Sequence, residues 1–426
     1  MAVEDLRRRR DAALGAGAAL FYRTPLNIVR GQGAYLFDAD GRRYVDMYNN
    51  VPCVGHAHPG VVEAITRAQS TLNVHSRYLH EGAIALAERL AALHGPTIES
   101  LIFSCTGSEA NEIALRMARF ATGRRGLICT DATYHGNSDL VGRLTRVGGA
   151  GTPPPDIQAI PFPQTYRPLA PDLDEDALCG AYLDRLDVAI ADLQASDAGV
   201  AALIICSIFA NEGLPDVPRG FLARAAAKVR AAGGLVIADE VQAGYCRTGA
   251  WWGYEVMGFT PDIVVTGKPM GAGVPLAATA ASRDLVEVFR ARTRYFNTFA
   301  SSPLQAAAGE AVLDIIEAEG LRDNVVRVGP ALKAALQARL GRRAFLGDVR
   351  GCGLFIGVEM ISDAAKTPDP ARAADISERL KEKGFLTAPA GTFGNVVKIR
   401  PPLVFSHVDA ANFLAAFDEV IGEVDD

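Results

Sequence analysis

The middle of this chain repeats one arrangement: a short apolar run, a stretch with helical spacing, then another apolar run. "LIFS" (101–104), "GLICT" (126–130), "AALIIC" (201–206), "LVIAD" (235–239), "DIVVT" (262–266) and "LAATAA" (276–281) are the runs. Their short length and aliphatic content suit strands covered on both faces. Between them, Ala110, Ile113, Ala114, Met117, Ala118 and Ala121 keep helical spacing, as do Phe221, Leu222, Ala225, Val229 and Ala232. Gly233 and Gly234 then stop the second helix. Strands alternating with helices predict an α/β fold, a mostly parallel sheet with helices on both sides. In such sheets ligands sit beyond the carboxyl ends of the strands.

The flanks differ. "GAYLFDADGRRYVDM" reads as two strands joined by a turn at Asp40-Gly41. Beyond about residue 305 come long helices and then "GDVRGCGLFIGVEM" and "NVVKIRPPLV", strands of an α+β unit. The expected organisation is a large domain (56–310) and a small domain built from both termini (1–55 and 311–426). "GGAGTPPPDIQ" (148–158) reads as a flexible excursion from the large domain.

Composition narrows the function. A net charge of −6 argues against a nucleic-acid surface, and the basic run Arg7–Arg10 reads as a solvated helix face. No apolar run reaches the ~18 residues that span a membrane, and "MAVEDLRRRR" lacks the apolar core of a secretory signal. The cysteines are odd in number and scattered, without a CxxC pair, which fits reduced thiols. A cytoplasmic location is expected. "GHAHP" invites a metal reading, but no third ligand matches it, and no metal is expected.

The stretch "LVIADEVQ" carries the chemical clue. A buried strand ends on Asp239 and Glu240, and a buried carboxylate without a partner is costly. A cation is due, and Lys268 in "PDIVVTGKPMGAG" stands 29 residues later, just past another buried strand. A direct ion pair is the plain reading. A third body between them is the sharper one, and pyridoxal 5'-phosphate fits: its aldehyde condenses with an amine and its ring nitrogen takes an anionic partner. An aspartate about 4 Å from that nitrogen gains roughly 4 kcal/mol at an effective dielectric near 20, about 3 pKa units before desolvation. "SCTGSEANEIAL" offers a cradle for the phosphate, with Gly107 and Ser108 at a helix start. "TDATYHGN" offers Tyr134 or His135 to a flat ring.

In order and spacing, "TGSEANEIALR", "TYHGN", "DEVQAGYCRTG" and "PDIVVTGKPMGAGVPLAA" resemble the class III (omega) aminotransferases of pyridoxal-phosphate fold type I. The resemblance runs from "GAYLFDADGRRYVDM" to "KIRPPL". It implies that Lys268 joins the cofactor and then moves the proton, that Asp239 partners the ring nitrogen, and that Gln242 bonds near the phenolic oxygen. It further implies Gly107 and Ser108 at the phosphate and Tyr134 on the ring, with His135 adjacent. Thr298 in "YFNTFASSP" would reach the neighbouring subunit's cofactor, implying a homodimer with shared active sites. Arg400 matches the arginine for a substrate carboxylate. Glu240 matches a position without an assigned role.

Two departures bear on substrate. Many relatives carry a Glu-Pro pair where this chain has Cys206-Ser207, so the usual acidic partner of the substrate arginine is absent, with Glu212 a few residues on. "FYRTPLNIVRG", "NNVPCVGHAHP" and "LNVHSRYLHEG" look like the ethanolamine-phosphate phospho-lyases of this class. Tyr22, Arg23 and Arg77 then join Arg400 as candidate substrate residues, the arginines as a phosphate pocket. That branch often has "GNGHP" after the lysine, whereas this chain has "GAGVP" (271–275). The leading expectation is transamination between an amine or amino acid and an oxo acid or aldehyde. Elimination of phosphate from an amino-alcohol phosphate is the alternative.

Overall fold

The computed structural model describes residues 3–146 and 153–424. The apolar runs form one seven-stranded sheet. Its spatial order is Ser100–Ser104, Ala277–Ala281, Ile263–Thr266, Leu235–Asp239, Val200–Cys206, Gly126–Thr130 and Ile157–Ile160. The four pairings from Ile263–Thr266 out to Ile157–Ile160 are parallel. Every residue of Val200–Cys206 is buried, as a strand with helices on both faces requires.

Ala277–Ala281 departs from the parallel pattern and runs antiparallel to both neighbours. The segment that leads to it from Thr266 is too short for a crossover, which takes about a dozen residues or more. It turns instead through a single 3-10 turn, Lys268–Gly271, and Gly273 at φ +112°. The Ile157–Ile160 edge strand went unread in the sequence, because half of "IQAI" is only partly buried. Of the 148–158 excursion, residues 148–152 lie outside the described residues.

Two four-stranded sheets flank this core. One joins Ile28–Gln32, Tyr35–Asp38 and Arg43–Asp46 to Phe385–Leu386, which pairs with Val45 and Asp46. The expected hairpin thus has an additional strand before it and a strand from the C-terminal region beside it. The other is Leu346–Cys352, Phe355–Met360, Val396–Ile399 and Ala388–Ala390. "VVKI" is therefore a central strand, and the residues after it bond to the N-terminal segment, Arg400 N–H to the Met47 carbonyl and Leu403 N–H to the Cys53 carbonyl. Among the described residues no helix is long and apolar enough to cross a membrane.

Candidate active site

The carboxyl ends of the Gly126–Thr130, Val200–Cys206, Leu235–Asp239 and Ile263–Thr266 strands open onto a cleft of about 120 Å³. Gly107, Ser108, Tyr134, His135, Asp239, Gln242 and Lys268 all line it, from four separate motifs of the chain. Cys206 and Asn211 complete one side.

Asp239 is almost fully buried and saturated with donors. Its Oδ2 accepts from His135 Nδ1 at 2.7 Å and from Asn111 Nδ2 at 3.0 Å, and its Oδ1 accepts the Val241 N–H at 3.0 Å. An ionised carboxylate only accepts, so Nδ1 of His135 carries the proton and Nε2 faces the Thr133 hydroxyl at 2.7 Å. No ion pair within 4.0 Å joins Asp239 to Lys268, so the plain reading of a direct bridge does not hold. Lys268 meets solvent through the cleft, yet the surrounding protein lowers its amine from the usual range, only partly opposed by Asp239.

Glu240, one residue on, faces elsewhere. It accepts from the Ser207 hydroxyl, from Gly253 N–H at 2.7 Å and from Tyr254 N–H at 2.9 Å, holding the start of a short helix. Burial pushes its carboxyl up to about 7 against those donors. The two adjacent acids of "ADEV" therefore have different tasks.

The cradle end is built on the start of helix Gly107–Thr122. Thr106 caps it, accepting the Glu109 N–H at 3.1 Å, and leaves the Gly107 and Ser108 end of the helix facing the cleft. Gly136 packs against it at φ +139°. A Cβ there would stand 2.4 Å from Ser108 Oγ, so the close approach requires glycine. Tyr134 leaves 41% of its surface open and is fixed at its carbonyl by Asn211 Nδ2 at 2.9 Å. An anion-binding helix start, an open aromatic face, a donor-saturated carboxylate and an amine share one cleft. That donor set fits a flat, phosphate-bearing pyridine.

Arg400 lies just outside the lining. Its Nε and Nη2 donate to the Tyr48 carbonyl at 2.9 and 2.6 Å, and Nη1 donates to Gln242 Oε1 at 2.5 Å. Gln242 passes the contact on to Asn211 at 3.2 Å. Burial lowers Arg400 to about 10. The other proposed substrate residues do not line this cleft within the single chain. Tyr22 donates to the Thr387 carbonyl at 2.8 Å. Arg23 pairs with Asp375 at 2.8 Å, leaving 72% of its side chain exposed. Arg77 is exposed over the Phe296 ring at 4.2 Å, and Thr298 sits on an exposed turn nearby. Glu212 is buried under the Thr130 hydroxyl, with burial raising it to about 7. The "GHAHP" histidines go to separate acids, His56 to Asp46 and His58 to Glu319.

Sequence reasoning missed Asn111, Asn211 and Lys398. Lys398 shares a strand face with Arg400 in "KIR", and the i, i+2 alternation was the available signal.

A family model, Aminotransferase class-III, matches residues 19–421. The chain belongs to the class III aminotransferases. Alanine–glyoxylate aminotransferase 2-like of Drosophila melanogaster is 35% identical over 97% of this chain and 86% of that one. Ethanolamine-phosphate phospho-lyase homolog 1 of Caenorhabditis elegans is 32% identical over 98% and 93%. Among solved structures, a phospholyase from Arthrobacter in complex with phosphoethanolamine matches with TM-score 0.95 at 39% identity, covering 99% of this chain and 100% of that chain. Class III aminotransferases are enzymes that use pyridoxal 5'-phosphate, the group for which this cleft has the donors, and the family holds both transaminases and phospho-lyases.

Proposed function

We propose that this class III enzyme is a phospho-lyase, acting on an amino-alcohol phosphate of the O-phosphoethanolamine kind. The observation that carries the reading is the charge of the cleft on its substrate side. Arg400 is buried just beside the lining and reaches it through Gln242, and the Val200–Cys206 strand ends at the cleft on Cys206 rather than on an acid. A site with cationic excess suits a dianion. The likeness to the Arthrobacter phospholyase supports the same reading.

When bound, pyridoxal 5'-phosphate supplies an aldehyde carbon for the substrate amine and a ring that withdraws electron density from the neighbouring carbon. The chain's residues do the rest. Gly107 and Ser108 would hold the cofactor phosphate, Tyr134 the face of the ring, and Asp239, oriented by His135 and Asn111, the ring nitrogen. Gln242 bonds the cofactor's phenolic side. Lys268 Nζ accepts the proton from the substrate's α-carbon as the bond from the β-carbon to the phosphate oxygen breaks. With one water, O-phosphoethanolamine gives acetaldehyde, ammonia and phosphate, and no oxidant is consumed.

Transamination of an amine or amino acid by the same Lys268–Asp239 pair is the second reading, favoured by "GAGVP" in place of the histidine-bearing turn. We also propose a homodimer in which Thr298 serves the partner's cofactor. Exposed Tyr78, Leu79 and Phe299 on neighbouring segments support it, as apolar surface awaiting a second copy. A cytoplasmic location is proposed from seven free cysteines.

The test is to mix holoenzyme with O-phosphoethanolamine and no oxo acid. Steady release of phosphate and acetaldehyde is expected. Turnover that begins only when pyruvate is added would assign the enzyme to transamination.

A further inference from the structure

Five lysine and arginine side chains are buried among the described residues: Arg247, Arg350, Lys381, Lys398 and Arg400. Four of them have acceptors. Arg350 meets Asp348 and Glu359, and Lys381 meets Glu378 and Glu382. Arg247 donates to Asn50 Oδ1 and to the Leu354 and Pro401 carbonyls. Arg400 has the Tyr48 carbonyl and Gln242. Lys398, only 6% exposed, has neither a hydrogen bond nor an ion pair among the described residues.

Its stem is buried while Nζ keeps contact with solvent, so the ammonium is open to an incoming anion; a largely buried cation without a protein acceptor gains from an anionic ligand. Lys398 sits mid-strand, paired with Gly357 on one side and Ala388 on the other. Its ammonium lies 5.5 Å from the Tyr48 ring centre and 5.7 Å from that of Phe355, so aromatic faces guide it without capping its donors. Val397 and Ile399 point the other way into the core. The charged or titratable groups that act on it are Arg400, Lys268 and the Cys206 thiol, none of them a carboxylate.

We infer that Lys398 is the direct ligand of the substrate's phosphate, and that Arg400, already held by Tyr48 and Gln242, positions the wall on which Lys398 stands. This deepens the phospho-lyase reading and rests on it for the identity of the anion. An ammonium offers three rotatable donors to a tetrahedral dianion. Burial, reinforced by Arg400 and Lys268, lowers the Lys398 amine to about 7, so the incoming anion also restores its proton.

The experiment measures binding of inorganic sulfate, which stays a dianion across the range, to holoenzyme by calorimetry. Lys398→Met is expected to weaken sulfate roughly 10- to 100-fold, the value of a charge-assisted hydrogen bond, at unchanged cofactor content. Wild-type affinity should fall as pH rises through about 7, where the ammonium loses its proton. Lys398→Arg should keep binding and lose that pH dependence, which a merely structural lysine would not produce. Wild-type sulfate affinity in Lys398→Met, or an unchanged pH profile in Lys398→Arg, overturns the inference; should the Met variant fail to fold, the Arg profile decides alone. Sulfate binding that depends on Lys398 in an enzyme releasing no phosphate upholds the anion contact and overturns the lyase reading. Undiminished phosphate affinity and release in Lys398→Met does the reverse.

Discussion

Asp239 and Lys398 are both buried ionisable side chains, yet their surroundings are opposites. Asp239, at the tip of a large-domain strand, takes three donors before any ligand arrives. Lys398, in the small C-terminal sheet, has no acceptor and two cations for company. A carboxylate held in place by protein donors keeps its position through a reaction cycle, as the partner of a resident group must. An unsatisfied cation is completed by something that comes and goes. The floor of the cleft is therefore suited to a cofactor and the wall to an exchangeable anion.

The contrast can be broken at several points. Lys268→Ala, on the floor, should lower turnover by about 10³- to 10⁴-fold, because the amine that moves the proton is gone. Borohydride treatment followed by peptide mapping should place the cofactor on Lys268 in the wild type, and recovery on another lysine would refute the assignment. Asp239→Asn keeps the size of the side chain and removes its charge. A loss of roughly 10²- to 10³-fold in kcat is expected from an interaction of about 4 kcal/mol, less what desolvation returns, and unchanged turnover would end its role.

Cys206→Asp puts an acid at the cleft end of its strand. The phosphate substrate's KM should rise about tenfold, equivalent to ~1.4 kcal/mol, with kcat nearly constant; an unaltered KM would mean that the wall does not read charge. Glu240→Gln should barely touch turnover while lowering the unfolding free energy by about 1–3 kcal/mol for the mismatched donors it leaves, read from the shift of the denaturation midpoint. A kcat loss matching that of Asp239→Asn would erase the distinction between the neighbouring acids.

Much of the floor was legible because its residues occupy strand ends and helix starts, which apolar runs and glycines mark out locally. Asp239 and Lys268 stand directly after such runs, and Gly107 and Ser108 open a helix with clear spacing. The antiparallel Ala277–Ala281 strand was not legible as such from its own composition, since direction depends on the length of the preceding connection. The wall was harder. Arg23 and Tyr22 looked like pocket residues in sequence, but α-helical partners far along the chain, Asp375 and Glu378, hold Arg23 elsewhere. Lys398 is visible only once "VVKIR" is known to be a central strand, because an isolated lysine beside an arginine otherwise reads as surface. Asn111 and Asn211 act through tertiary hydrogen bonds, which no local pattern announces.

The most direct measurement compares steady-state phosphate release by Asp239→Asn and Lys398→Met holoenzymes over a range of O-phosphoethanolamine concentrations. The account predicts a split: the aspartate variant loses kcat at nearly constant KM, while the lysine variant gains KM at nearly constant kcat. Equal losses of kcat in both, with KM untouched, would contradict it.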